Sequence, residues 1–304
     1  MAWDAASQSA PLLVLLVSKV HRRVVGDADP YKLNPTLMGC TRGPLMKYSI
    51  SNIAWDKAHD FEMYTFLQSV GMDGIEIAPT RLFENPYENL EQAQLYATML
   101  FNRFGLSISS MQSIWYGKSG NIFNKEEAKA LSDYTKKAMD FANATGIKNL
   151  VFGCPKNRSI PEGAKEDDVL EFFYDLGEYA KSCNTVLALE ANPVIYNTNF
   201  MNTTTQAAEF CKKVGSEGVK LNVDFGTILY NKENPHVIKT YKNLVNHIHL
   251  SVPQLRYVEK IKEHGTLKKV LGKIDYDGYL SIEMGNVGDT EKVKQAVIYL
   301  KENF

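Results

Sequence analysis

The chain lacks an excess of positive charge. Lys+Arg 34 against Asp+Glu 35 leaves a formal net charge of -1 over 304 residues. Sequence-independent binding to a phosphate backbone draws on a basic surplus, so nucleic acid is not an expected partner. Long apolar runs are missing as well. Leu12-Leu13-Val14-Leu15-Leu16-Val17 falls far short of the roughly 20 residues of a membrane span, and no membrane partner is expected. Nor does that run read as a secretory signal, because Asp4 precedes it and Lys19, Arg22 and Arg23 follow it, the reverse of the required charge order. Cysteine is scarce: Cys40, Cys154, Cys183 and Cys211 are scattered without a CxxC pair. That argues against a disulfide scaffold and for a reduced, cytoplasmic protein. Cys154 ends an apparent strand and is formally a nucleophile candidate. A small half-buried packing role is the stronger expectation, since free cysteines are commonly buried and inert.

What is present is ordinary for a globular protein, with 44% hydrophobic and 23% charged residues. Such a chain buries a substantial core in one large domain or two ordinary ones. Residues 1–45 differ from the rest. The stretch from Asp27 to Pro44 is rich in Gly, Pro, Asp and Asn and reads as irregular, so 1–45 is expected to be a dispensable leader or an upstream extension. The domain proper is expected to span 46–304, with Met46 as its natural start.

From Met46 onward, short β-type runs alternate with longer helical periods. Strands are expected at 48–54, 74–78, 106–114, 149–153, 185–190, 219–224, 245–250 and 279–283. Helical spacing follows most of them, with Gly71, Gly105 and Gly146 as stops. No strand is followed by a two-residue hairpin turn, which disfavours antiparallel meanders. Eight βα units in about 250 residues are the size and order of a (β/α)8 TIM barrel. A doubly wound sheet would ordinarily carry a Gly-rich phosphate loop after its first strand, and Asn52-Ile53-Ala54-Trp55-Asp56 offers none.

Barrel enzymes keep their chemistry at the C-terminal ends of the strands. The last polar residue of each late strand is Glu190, Asp224, His249 and Glu283 in turn. Taken singly each is weak, because an acid at a strand end is more often a cap or an ion-pair partner and a lone histidine is more often a satisfied semi-buried one. Four suitable residues on four neighbouring strands can converge on one divalent cation. Three carboxylates with one imidazole suit Mn²⁺ first, with Mg²⁺, Co²⁺ or Zn²⁺ as alternatives. His247 shares the face of His249, one side-chain repeat deeper, and is expected beneath the metal or in packing.

These stretches resemble the xylose-isomerase-like barrel superfamily, which includes ketose 3-epimerases, hydroxypyruvate isomerase, inosose dehydratase and endonuclease IV. The resemblance rests on ISNIAWD at 50–56, GIEIAPT at 74–80, LALEANP at 187–193, LNVDFGT at 221–227, HIHLSVPQL at 247–255 and LSIEM at 280–284. It implies that Glu190, Asp224, His249 and Glu283 match the family's metal ligands, and that Glu190 and Glu283 also match its acid/base pair. Ketose epimerases often carry a substrate-contacting His three residues after the strand-six Asp. Here that position is Thr227, which leaves the metal site intact and the sugar open. Arg256 lies near a family substrate arginine.

The expected function is therefore a sugar or sugar-phosphate isomerase or epimerase. Proton transfer between Glu190 and Glu283 would pass through a metal-stabilised enediolate. Candidate substrate contacts are Trp55, Glu76, Gln112, Asn192, Thr227 and Arg256. Glu76 could instead orient a metal ligand, and Trp55 could serve as rim packing. Lys156 and Arg158 are phosphate candidates, with a solvated loop the safer expectation. A dehydratase of the same chemistry is the main alternative. A silent sugar-binding module and a multi-zinc repair endonuclease fit less well, since only six histidines occur and the acid cluster needs a cation. Barrels of this kind often pair, which makes a homo-oligomer an open expectation.

Overall fold

The computed structural model describes residues 46–304; the expectations placed on 1–45, with Cys40, lie outside the described residues. The chain builds β1 (Lys47–Ser51), β2 (Gly74–Ile77), β3 (Ser107–Met111), β4 (Leu150–Phe152), β5 (Leu187–Glu190), β6 (Val219–Asp224), β7 (Val245–Ser251) and β8 (Tyr279–Glu283). All neighbours pair in parallel and the sheet closes in sequence order, β8 returning to β1. This is a (β/α)8 barrel, as the alternation predicts. The helices are α1 (Asp60–Ser69), α2 (Pro79–Leu82), α3 (Leu90–Phe104), α4 (Lys125–Thr145), α5 (Leu170–Ser182), α6 (Thr204–Val214), α7 (Phe225–Tyr230), α8 (Val237–Thr240), α9 (Lys262–Lys273) and α10 (Thr290–Asn303).

Local chemistry sets the helix ends. Asn89, Asn124, Thr203 and Asp289 accept hydrogen bonds from the first backbone N–H groups of α3, α4, α6 and α10, supplying partners that the first turn lacks. Gly105 and Gly146 close α3 and α4 in the left-handed conformation, with φ of 67° and 77°, where a Cβ would be strained. The strands are short and largely buried because both faces are covered, the outer by helices and the inner by barrel side chains. Ile50, Ile75, Leu187, Leu221, Ile248 and Leu280 are all fully buried.

Five strand ends differ from the sequence reading; β2 and β4 stop one residue early, and the other three move a side chain. β1 stops at Ser51 rather than Ala54, because the Ser51 hydroxyl accepts from the Ile53 N–H and Asn52–Ala54 turn into a 3-10 helix. β3 stops at Met111, and Ser113 with φ of 54° breaks the extended run that was expected to reach Ile114. β7 runs two residues past His249, so His249 does not end its strand; Ser251 does.

Candidate active site and metal centre

Side chains two apart on a strand share a face. Asn222 with Asp224 on β6 and His249 with Ser251 on β7 therefore present paired groups to the barrel mouth. The register interlocks them: Glu190 lies opposite Asn222, Asp224 opposite His249, and Ser251 opposite Glu283. One donor atom each from Glu190, Asp224, His249 and Glu283 lies within 4.8 Å of the others. The structure thus brings the four sequence-predicted residues together.

His249 is the centre of the cluster. Its Nδ1 lies 3.1 Å from both Glu190 Oε1 and Glu283 Oε2, and its Nε2 lies 3.0 Å from Glu76 Oε2. If Nε2 gives its hydrogen to Glu76, Nδ1 directs a lone pair at two carboxylates. That arrangement calls for a positive charge between them, supplied either by a proton or by a cation. The proton balance shows the same demand. Burial would lower the His249 pKa, but the charges of Glu283 and Glu76 outweigh it and hold the imidazole well above its usual range. Burial pushes Glu283 up to about 7; His249 opposes the rise, while Glu190 and Asp224 add to it. Burial and the Glu190 charge also raise Asp224. Three hard oxygen donors and one imidazole nitrogen, crowded and partly protonated, fit a divalent cation that would take the place of those protons.

Supporting residues hold this set in place. The Asn222 amide donates to Glu190 Oε1 at 2.7 Å, and the Asn192 amide donates to Glu190 Oε2 at 3.2 Å. Asp224 accepts from the Ser251 hydroxyl through one oxygen and from the Thr227 N–H through the other. Glu76, wholly buried, also receives the Gln112 amide at 3.1 Å and lies 3.3 Å from His247 Nε2. Burial opposes its ionisation, but His249 and His247 draw its pKa below the usual carboxylate range. Burial lowers His247 against the pull of Glu76, and the ring packs below His249 as the sequence predicts. Glu76, His247 and His249 form a second group of close donors. It is sealed at 0–1% exposure, whereas the upper quartet borders a cavity of about 210 Å³ lined by Glu190, Asp224 and Glu283.

The other sequence candidates divide. Gln112 and Asn192 line the cavity. Trp55 does not: its buried indole donates to Asp60 at 2.8 Å, and its carbonyl accepts from Arg81. Its position beyond the end of β1 makes it rim packing. Thr227 is turned away too, its hydroxyl donating to the Ala191 carbonyl at 3.0 Å. Arg256 is exposed and donates to the Pro253 carbonyl. Lys156 is exposed as expected of a loop. Arg158 reverses the solvated-loop expectation. It is fully buried, its guanidinium donating to the Glu190 carbonyl at 2.8 Å and the Met201 carbonyl at 3.3 Å, so it buttresses β5. Cys154 borders the cavity, but burial pushes its thiol up to about 12, which removes it as a nucleophile. With Cys183 and Cys211 it is a free thiol.

The sequence reading passed over Asn222, Ser251 and Tyr196. The first two stand two residues from a ligand on the same strand face, a spacing that would have found them. Tyr196 lies on the loop after β5 and lines the cavity; no periodicity marks it. Burial raises its pKa, with the charges of Asp224, Glu283 and Glu190 adding to the effect.

The family profile described as "Xylose isomerase-like TIM barrel" matches residues 65–303. The chain belongs to that family. No curated protein matches it by sequence. Among solved structures it is similar to 3-keto-D-glucoside 4-epimerase from E. coli in apo form, with 18% identity and a TM-score of 0.67 over 85% of this chain and 100% of that one. D-psicose 3-epimerase from Clostridium cellulolyticum H10 with D-tagatose gives 16% identity and 0.70 over 85% and 98%. A family 2 AP endonuclease from Brucella melitensis gives 16% and 0.66 over 84% and 99%. At such identities the likeness establishes the barrel alone. Among the described residues, no helix is long and apolar enough to cross a membrane.

Proposed function

We propose that the protein is a divalent-metal-dependent isomerase or epimerase of a sugar or sugar phosphate, with residues 46–304 as its catalytic domain. The observation that carries this is the Glu190–Asp224–His249–Glu283 quartet at the floor of a cavity at the C-terminal mouth of the barrel. The activities of two similar structures, a 4-epimerase and a 3-epimerase, support the sugar class. All eight strands lie between residues 47 and 283, which supports the domain boundary.

Glu190, Asp224, His249 and Glu283 would hold the cation, Mn²⁺ being the best match to the donor set. Bound there, it supplies Lewis-acid polarisation of a substrate carbonyl, which acidifies the neighbouring C–H. The rest is proton handling by the chain. Glu190, with both oxygens engaged by the Asn192 and Asn222 amides, is fixed to take a proton from the carbon beside the carbonyl. Glu283, at the end of β8, would deliver a proton to that carbon as the general acid. β5 and β8 are separated by β6 and β7, so the two glutamates reach a substrate from different sides.

The test is metal analysis of the purified protein followed by a product screen over ketoses, aldoses and inososes with Mn²⁺. Products of unchanged mass are expected, and a product lighter by one water would make the protein a lyase instead. Glu190→Gln and Glu283→Gln should each cut turnover roughly 10²–10⁴-fold. Wild-type turnover in both variants would remove the two glutamates from the reaction.

A further inference from the structure

Among the described residues, no cationic side chain lines the cavity above the quartet. The lining's charged members among the described residues are Glu190, Asp224 and Glu283, and its neutral polar members are Gln112, Ser113, Asn192 and Tyr196. A divalent cation would offset two of the three carboxylate charges and leave the pocket negative. A phosphate monoester carries about −1.5 to −2 charges and needs Arg, Lys or free backbone N–H groups to be held.

Several candidate donors around the mouth are already engaged, and the exposed Arg256, whose Nε donates to the Pro253 carbonyl, does not line the cavity. TIM barrels commonly bind phosphate with the loops after the last two strands and a helix N-terminus. Here the Gln254 N–H donates to the Tyr196 hydroxyl oxygen at 3.0 Å, and the Gly285 N–H donates to the Leu255 carbonyl at 2.7 Å. Asp289 takes up the first N–H groups of α10. Arg158, behind β5, is committed to two backbone carbonyls. Lys156 faces a neighbouring groove, not this cavity.

Tyr196 is the complementary feature. Because its oxygen accepts from Gln254, its own hydrogen is free to point into the cavity that the ring lines. The loop is built to hold that contact: Gln254 and Leu255 both adopt positive φ, 65° and 52°, a conformation that non-glycine residues keep only when their surroundings enforce it. Four residues earlier on the same loop, Asn192 spends an amide hydrogen on Glu190 and keeps a buried Oδ1 without a partner.

We propose that the substrate is an unphosphorylated sugar and that Tyr196 grips it, donating its phenolic hydrogen to a substrate oxygen. This rests on the isomerase/epimerase reading and narrows it. The test loads the full-length protein with Mn²⁺ and measures binding by calorimetry, together with turnover, for D-fructose, D-tagatose and D-fructose 6-phosphate. At least one free ketose should be favoured over the phosphate ester by about tenfold or more. Tyr196→Phe should raise the KM and Kd of that ketose about tenfold, the loss expected of one hydrogen bond, and leave the affinity for Mn²⁺ alone unchanged. Lys156→Ala should leave free-ketose kinetics as they are. Preference for the phosphate ester, above all one abolished by Lys156→Ala, overturns the proposal while the isomerase reading stands. Wild-type affinity for the ketose in Tyr196→Phe overturns the role of the tyrosine. If the wild-type protein neither binds nor converts any probe in the wider ketose, aldose and inosose screen, the functional reading falls and this proposal with it.

Discussion

His249 is held from both sides. Its Nδ1 faces Glu190 and Glu283, and its Nε2 is anchored on Glu76. An acid accepting the far N–H of a metal-binding imidazole fixes its tautomer and makes the near nitrogen more basic. Glu76→Gln removes that negative charge, and its amide can turn a donor toward Nε2. The expected result is a roughly 10–100-fold loss of Mn²⁺ affinity with little change in fold, read by metal titration alongside circular dichroism. Ser251→Ala tests the same logic on Asp224, whose second oxygen loses its hydroxyl donor. It should weaken the metal less than the Glu76 change, because a neutral donor is removed and no charge. An Mn²⁺ affinity equal to wild type in both variants would show that the quartet needs no such support.

At the scale of elements, the site depends on β5 and β6 meeting at a fixed height. Arg158 bonds the Glu190 carbonyl from behind. Below, α5 packs so closely on the turn before β6 that a Cβ at Gly218 would land on the Gly177 carbonyl oxygen. Gly218→Ala has no room to relax into, because the obstacle is helical backbone. It should destabilise the protein by about 1–3 kcal/mol, seen as a lower Tm. An unchanged Tm would mean that α5 yields. Gly153, after β4, is the equivalent inside the site: a Cβ there would stand 3.0 Å from Glu190 Oε2. Elements of this sort were readable as strand and helix from hydrophobic period, and their order implied the barrel. The ends of β5, β6 and β8 were readable as well, but those of β1, β3 and β7 were not, because Ser51, Ser113 and Ser251 act through hydroxyl contacts and backbone angles that leave no pattern in hydrophobicity.

For the molecule as a whole, a cation at the proposed centre would compete with protons for one place. Glu283 at about 7 and His249, held well above its usual value, carry protons in the metal-free protein at pH 6 that metal binding must release. Groups that bind protons more tightly in the free form make apparent metal affinity rise with pH. Mn²⁺ affinity should therefore climb between about pH 5.5 and 7.5, with protons released on mixing. A flat profile would mean that the quartet is not where the metal binds. Metal in hundredfold excess over its Kd should stabilise the fold by about 2.7 kcal/mol, and chelation should reverse the gain in Tm.

Hydrophobic periodicity and strand-end chemistry in the sequence were enough for the barrel and the four ligand candidates, since both patterns are local along the chain. Trp55, Thr227 and Arg158 carried no such local information. Whether an indole walls a pocket or bonds Asp60, whether a threonine faces the site or the Ala191 carbonyl, and whether an arginine meets solvent or two buried carbonyls depend on segments 5 to 43 residues away. The same holds for Glu76, which reaches His249 across 173 residues of sequence, and for Tyr196, whose loop is tied to Gln254. Residue types and their spacing could nominate the metal ligands. Only closure of the barrel, which brings distant strands and their loops within hydrogen-bonding distance, decided which neighbours orient those ligands and which side chains are left to meet a substrate.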